Sequence, residues 1–165
     1  MTTLIAIIGI GIFCLLAEIM NLKKIIIPVS IVSLMALFGL NITGQLPEIT
    51  GYESMIEVNK FSVAFSSLFI LLTALLILMS APSYAKSSKL SDFISIKVFM
   101  LSGAVAMVSF SNMAMFFLGI EVLSIGLYVL AGSDRLNIKS NEAGMKYFLM
   151  GSFASGILLF GITML

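Results

Sequence analysis

The sequence has no histidine, a single cysteine and few charged residues. Because Cys14 has no second cysteine to pair with, a disulfide within the chain is excluded. Without histidine or further cysteines, the chain has neither a Cys/His metal site nor a Ser-His-Asp arrangement. It also contains no P-loop and no G-x-G-x-x-G motif. We therefore expect no catalytic residue, no metal and no cofactor in this chain, and we expect Cys14 to pack as a small hydrophobe.

Charged residues make up 10% of the 165 residues, whereas about 25% is usual in soluble domains. Hydrophobic residues make up 60%, and the mean hydropathy is +1.17. A water-facing surface cannot be built from this composition, so the lipid bilayer must be the solvent for most of the chain. The basic residues are scattered between apolar runs, which argues against a nucleic-acid partner.

Six apolar runs are long enough, or nearly so, to cross a bilayer, since a helical crossing needs about 20 residues. None shows the alternating pattern of a barrel strand. The predicted helices lie near residues 4–22, 25–43, 61–80, 94–111, 113–131 and 144–165. The sequence thus predicts an all-α fold class, a polytopic transmembrane helix bundle of about six helices, forming a single domain over residues 1–165.

Basic residues are unevenly divided between the two sides of the predicted bundle. Alternate connections on one side contain Lys23, Lys24, Lys86, Lys89, Arg135 and Lys139. The opposite side has only Lys60, in a loop that also contains Glu48, Glu53 and Glu57. The positive-inside rule assigns the lysine-rich and arginine-containing connections to the cytoplasm. We therefore expect a multi-pass protein of a bacterial-type inner (plasma) membrane, with its N-terminus outside.

Four charged residues fall within the apolar runs, namely Glu18, Lys97, Glu121 and Lys146. Glu18 and Lys97 lie near the cytoplasmic ends of their helices, and we expect both to reach water there. Lys146 opens the sixth helix, where snorkelling and a role as an internal charge are equally supported. Further along that helix, the pairs Gly151-x-x-x-Ser155 and Ser152-x-x-x-Gly156 are typical of packing surfaces.

Glu121 lies in the middle of the fifth run, FFLGIEVLSIGLYVLAG, too deep for its carboxyl group to reach water by stretching. A charge at the bilayer centre costs about 2.5–3.5 kcal/mol or more, so this group should face protein or internal water. Ser124 and Tyr128 share its helix face, and Gly119 and Gly126 allow close helix contact. Burial favours the neutral acid and a nearby lysine favours the carboxylate, so a group balanced between them can exchange a proton. The alternative is a protonated acid that only hydrogen-bonds helices together.

The fifth and sixth runs resemble subunit N of NADH-quinone oxidoreductase (respiratory complex I), an antiporter-like subunit of the membrane arm. Two motifs support this resemblance: F-L-G-I-E-[LVM]-L-S around Glu121, and E-A-x-x-K-Y-F-x-x-G-[AS]-F-[AS]-S from Glu142. Residues 92–112 fit more loosely, and the first three helices match only in hydropathy and spacing. The chain thus looks like the N-terminal third of this subunit. Two alternatives stay open: part of a longer polypeptide, which we expect, or a split subunit.

The resemblance implies a fold of about fourteen helices with both ends outside, built from two inverted repeats. It implies that Glu121 is the fifth-helix glutamate of a proton pathway and that Lys146 is a matching membrane lysine. In the family, this glutamate pairs with a lysine on a broken seventh helix, which these 165 residues do not include. We add Ser124, Tyr128 and Lys97 as supporting residues.

Three functions follow from these observations. The first is a proton-translocating subunit that couples NADH:quinone electron transfer to proton transport, with other membrane-arm subunits of complex I as partners. Flavin, iron–sulfur clusters and quinone would then belong to partner subunits. The alternative is a subunit of a multi-subunit cation/proton antiporter, which exchanges sodium or potassium without NADH. The third is a structural scaffold in which Glu121 is a helix-packing acid.

Overall fold

The computed structural model describes residues 2–19, 23–44, 54–84 and 90–165. Several predicted positions lie outside this description: Glu48, Glu53, Lys86 and Lys89 entirely, and the side chains of Glu18, Lys23 and Lys24. The described residues form six helices in chain order: α1 (Thr2–Ile19), α2 (Lys23–Thr43), α3 (Lys60–Tyr84), α4 (Leu90–Val108), α5 (Met113–Ala131) and α6 (Ile138–Thr163). No strand forms within them, which confirms the predicted all-α fold class.

Five of these helices, α2 to α6, are long and apolar enough to cross a membrane. The described apolar part of α1, Thr2–Ala17, is a shorter helix. Helices suit a lipid environment because each one satisfies its backbone hydrogen bonds internally. The chain is therefore a multi-pass membrane protein.

Helix ends differ from the predicted spans where polar residues continue a helix beyond its apolar part. Helix α6 begins at Ile138, before the predicted boundary near residue 144, because the side-chain oxygen of Asn137 caps it by accepting from the Lys139 amide at 3.0 Å. Helix α4 likewise begins with the polar turn that contains Asp92. Hydropathy marks the part of a helix that lies in lipid, not its full length.

Helices α1 to α4 share one apolar core. Its most deeply buried side chains come from all four helices: Ile7, Cys14, Leu34, Ile70, Ile77, Val98 and Val105. Helix α4 packs against α1 and α3 on one side and against α5 on the other, whereas α6 packs against α5 alone among the described helices. Cys14 is 1% exposed and lies in this core, as predicted.

Two glycines bring the backbones of α4 and α5 into direct contact. A β-carbon added to Gly103 would lie 2.8 Å from the Gly119 carbonyl oxygen, and one added to Gly119 would lie 2.7 Å from the Met107 amide nitrogen. A residue with a β-carbon does not fit at either position without moving the facing backbone. The close helix contact predicted for Gly119 is present, and Gly126 faces the Met100 side chain of the same neighbouring helix.

The turn between α4 and α5 is bonded to the segment that precedes α3. The Glu57 amide donates to the Ser109 carbonyl and the Ser111 amide to the Met55 carbonyl, each at 2.9 Å. The Asn112 side chain donates to the Ser54 carbonyl at 2.9 Å while its oxygen caps α5. This end of the bundle is therefore held by main-chain bonds outside the helices.

Replacing Gly119 with alanine should lower the melting temperature of the protein in lipid nanodiscs. The added methyl group would press on the α4 backbone, and overpacking of this kind costs about 1–3 kcal/mol. Gly156→Ala is the matched control, because no atom lies within 4 Å of its added β-carbon and alanine favours helix. Equal melting temperatures for the two variants would contradict the close backbone contact.

Candidate functional site

Glu121 lies near the middle of α5, and one oxygen of its carboxyl group is buried. Glu121 is the ninth of the 19 residues of the helix, about 12 Å along the axis from its first residue. Its side chain is partly buried, and its Oε1 atom is buried without a hydrogen-bond partner in the described part of the chain. A buried carboxyl oxygen without a partner is unfavourable for a purely structural residue, because an unmade hydrogen bond costs about 1–3 kcal/mol.

Glu121 lies on the side of α5 that faces α6. Two turns further on, Tyr128 contacts the rings of Tyr147 and Phe148 on α6, with centroid separations of 4.9 and 5.9 Å. Residues seven apart lie on the same face of a helix, so Glu121 and Tyr128 share this side. Gly119, by contrast, points to α4. The predicted common face of Glu121, Ser124 and Tyr128 is therefore the face toward α6, and Ser124 is partly buried there.

The register of α5 and α6 brings Ser155 to the level of Glu121. Tyr128 contacts Phe148, and the two helices are antiparallel. Glu121 lies seven residues before Tyr128, and Ser155 lies seven residues after Phe148. Glu121 and Ser155 therefore lie at the same level of the two helices. Ser155 is partly buried, and its hydroxyl donates to the Gly151 carbonyl at 3.0 Å.

The sequence pattern predicts only a packing role for the Gly151-x-x-x-Ser155 pair. Gly151 does pack closely, since an added β-carbon would collide with the Tyr128 hydroxyl. The sequence pattern does not predict the position of Ser155 beside Glu121, because that position depends on how the two helices pair. Glu121 lies ten residues before the predicted end of the fifth helix at 131, and Ser155 lies eleven residues after the predicted start of the sixth at 144. This nearly equal spacing is the signal that could have found it.

Lys146 does not reach Glu121. Its ammonium donates to the Glu142 carboxylate at 2.5 Å, one turn earlier on α6, and the two side chains are 69% and 58% exposed. From Lys146 to the level of Ser155 is nine residues, or about 13 Å. Glu142 is not among the predicted site residues, although its four-residue spacing from Lys146 is typical of such pairs.

Lys97 lies on a different side of the bundle from Glu121. Its ammonium donates to the Ser80 hydroxyl of α3 at 2.6 Å, and its side chain is partly buried. The α5-facing side of α4 is instead formed by residues such as Gly103 and Met107. Lys97 therefore connects α3 to α4 and does not face the carboxyl group on α5.

Comparison with known proteins gives two kinds of match. Residues 110–165 match the family model described as NADH:quinone oxidoreductase/Mrp antiporter, TM, which covers α5 and α6. The whole chain is 64% identical to the NADH-quinone oxidoreductase subunit N of Flavobacterium johnsoniae and 61% identical to that of Flavobacterium psychrophilum. It is 39% identical to the subunit N of Cytophaga hutchinsonii.

Each of these three alignments covers 100% of this chain and 36% of the relative. The chain thus spans about a third of the length of the curated relatives it matches, in their N-terminal part.

Cysteines that replace Glu121 and Ser155 should become joined by a short bifunctional thiol reagent, because the two positions lie at one level of facing helices. The background is Cys14→Ser, and trypsin cleavage after the exposed Arg135 separates α5 from α6 unless the bridge has formed. The matched control pairs Glu121→Cys with Lys146→Cys, which should stay unlinked at about 13 Å along the axis. Equal yields from both pairs would contradict the register.

Proposed function

This chain belongs to the family of NADH-quinone oxidoreductase subunit N, and on that premise we propose that it translocates protons in the membrane arm of that enzyme, respiratory complex I. Its partners are then the other membrane-arm subunits. Electron transfer from NADH to quinone takes place in subunits that hold the flavin and iron–sulfur clusters. This chain contributes no covalent chemistry and couples that reaction to proton movement.

The observation that supports this proposal is the buried, unpartnered carboxyl oxygen of Glu121. A charge placed at the bilayer centre costs about 2.5–3.5 kcal/mol or more. Moving one charge through 100 mV is worth about 2.3 kcal/mol, which is of the same size. A change of field or of a neighbouring charge during electron transfer is therefore large enough to make this group release or take up a proton.

Each predicted pathway residue has a different role in this proposal. Glu121 holds the proton, and Ser124 and Ser155 offer hydroxyl groups along the same α5–α6 interface. Tyr128 holds α6 at the spacing that leaves room for them, through its contact with Phe148.

Lys146 and Glu142 form a second charged group at the other end of the α5–α6 interface. A proton that reaches Glu121 along α6 passes this pair first, if the basic connections are cytoplasmic. Lys97 has a supporting role through its bond to Ser80, which holds α3 against α4. The resemblance assigns the charge partner of Glu121 to a further helix, outside these residues.

The membrane orientation is part of the same proposal. The basic connections at Lys23/Lys24, Lys86/Lys89 and Arg135/Lys139 face the cytoplasm of a bacterial-type cell, and the N-terminus faces outward. The arrangement of the charged loops supports it, because Lys60 and Arg135 lie at opposite ends of the bundle. We also propose that the single transmembrane domain of residues 1–165 is part of a fourteen-helix fold with both ends outside.

One alternative has support of its own, because the matching family model is described by both NADH:quinone oxidoreductase and Mrp antiporter. In that case the protein would exchange sodium or potassium for protons, without NADH. The names of the relatives favour the first function. Purification of the native assembly decides between them, because only the oxidoreductase brings flavin and iron–sulfur subunits with it.

Glu121→Gln should lower NADH-driven proton pumping at least several-fold in membrane vesicles, because an amide cannot exchange a proton at this depth. Glutamine has nearly the same volume, so insertion and assembly should be retained. Glu57→Gln, which changes an exposed acid beside the α4–α5 turn, is the control and should pump normally. Full pumping by the assembled Glu121→Gln enzyme would leave the residue with a structural role only.

Single cysteines introduced into a Cys14→Ser background should report the two sides of the membrane. A thiol reagent that cannot cross lipid should label Lys139→Cys only from the cytoplasmic side and Lys60→Cys only from outside. Both side chains are exposed, so access does not limit the reaction. Labelling of both from one side, or with the sides exchanged, would reject the proposed orientation.

A further inference from the structure

Two serine hydroxyls in the core of α1 to α4 have no hydrogen-bond partner among the residues that the structure describes. Ser91 is 0% exposed and Ser95 is 1% exposed, and neither Oγ atom makes a hydrogen bond. They lie one turn apart on α4 and therefore on the same face. Each buried hydroxyl without a hydrogen bond costs about 1–3 kcal/mol, so two of them side by side need an explanation.

Other buried serines in these helices donate a hydrogen bond to a carbonyl of their own helix. Ser102, on the same helix, donates to the Phe99 carbonyl at 2.6 Å; Ser30 donates to Ile27 at 2.9 Å, and Ser67 to Val63 at 2.6 Å. Bonding to the preceding turn is the usual solution for a helical serine away from water. Ser95 does not adopt it, and Ser91 has no partner among the described residues, so both hydroxyls can bond to something else in the core.

The surroundings of these two hydroxyls are protein. Ile94 and Val98, on the same face of α4, are 3% and 0% exposed and belong to the core shared with α1, α2 and α3. Gly11 of α1 lies beside Phe99 of α4, and the two helices are antiparallel, so Cys14 is at nearly the level of Ser95. Lipid cannot supply hydrogen bonds at this position, whereas a small polar molecule enclosed by the helices can.

The spacing of the two serines fits one water molecule. Residues four apart on a helix have β-carbons about 5–6 Å apart. A hydroxyl–water hydrogen bond measures about 2.7–2.8 Å, so a water between the two Oγ atoms can bond to both. We propose that Ser91 and Ser95 bind a buried water molecule within the α1–α4 core. Buried waters usually make about three hydrogen bonds to groups that are otherwise unsatisfied.

This water site is separate from Glu121. It lies on the side of α4 that is turned to the shared core, whereas α5 packs on the side that contains Gly103 and Met107. The proposal therefore does not depend on proton translocation and would hold for an antiporter or a scaffold as well. Its consequence is that the first four helices enclose water near the end at which α4 begins.

Melting temperatures in lipid nanodiscs distinguish a water site from a dry one. If the water is bound, Ser95→Ala removes one of its hydrogen-bond partners, and the melting temperature should fall by about 2–4 °C. The double variant Ser91→Ala/Ser95→Ala should fall by less than the two single losses together, because the water is lost only once. In a dry core each alanine removes an unsatisfied group, so both single variants would melt higher and their effects would add.

Ser102→Ala is the matched control, because its hydroxyl is already bonded to a carbonyl of its own helix. A Ser95→Ala effect no larger than that of Ser102→Ala overturns the proposal, as does a rise in melting temperature. A map of the native assembly that resolves ordered water gives the direct test. A density peak within hydrogen-bond distance of both Oγ atoms supports the site, and no peak with both hydroxyls bonded to the preceding turn overturns it.

Discussion

The structure depends on one constraint: in hydrocarbon, a polar group must find its hydrogen-bond partner within the protein. Helices meet this requirement for the backbone. The Asn41 side chain meets it by donating to the hydroxyls of Ser66 and Ser67, both at 3.0 Å, which joins α2 to α3. The Lys97 ammonium meets it at Ser80. Three buried polar atoms do not meet it within the described residues, namely the Oγ atoms of Ser91 and Ser95 and the Oε1 atom of Glu121, and of these only the carboxyl group can change its charge.

The fold could be predicted from the sequence as far as hydropathy reports it. Helix α5 has the predicted bounds, because polar turns interrupt the apolar run at Asn112 and again just after Gly132. The position of Glu121 near the middle of α5 follows from its place in that run. The start of α6 at Ile138 did not follow, because the capping by Asn137 and a polar first turn leave no trace in hydropathy. The assignment of Ser155 to the level of Glu121 needs the pairing of two helices, which one-dimensional patterns do not contain.

The region that matches the family model, residues 110–165, is the part of the chain that presents Glu121. It is a hairpin of two helices, of which α6 packs on α5 alone in the described structure, while α5 is held to the other four helices through α4. The backbone contact of Gly103 with Gly119 is thus the connection between the α1–α4 core and the carboxyl group. The core positions the site through this contact although none of its side chains bonds to Glu121 Oε1.

The bonds between the Met55–Glu57 segment and the Ser109–Ser111 turn have a mechanical consequence. They anchor the beginning of α5, so this end of the helix is the pivot when the helix tilts. Displacement then grows along the helix, and Gly132, about 28 Å along the axis from Met113, travels more than twice as far as Glu121 at about 12 Å. Such a lever would move the end of α5 beside the basic connection about twice as far as the carboxyl group.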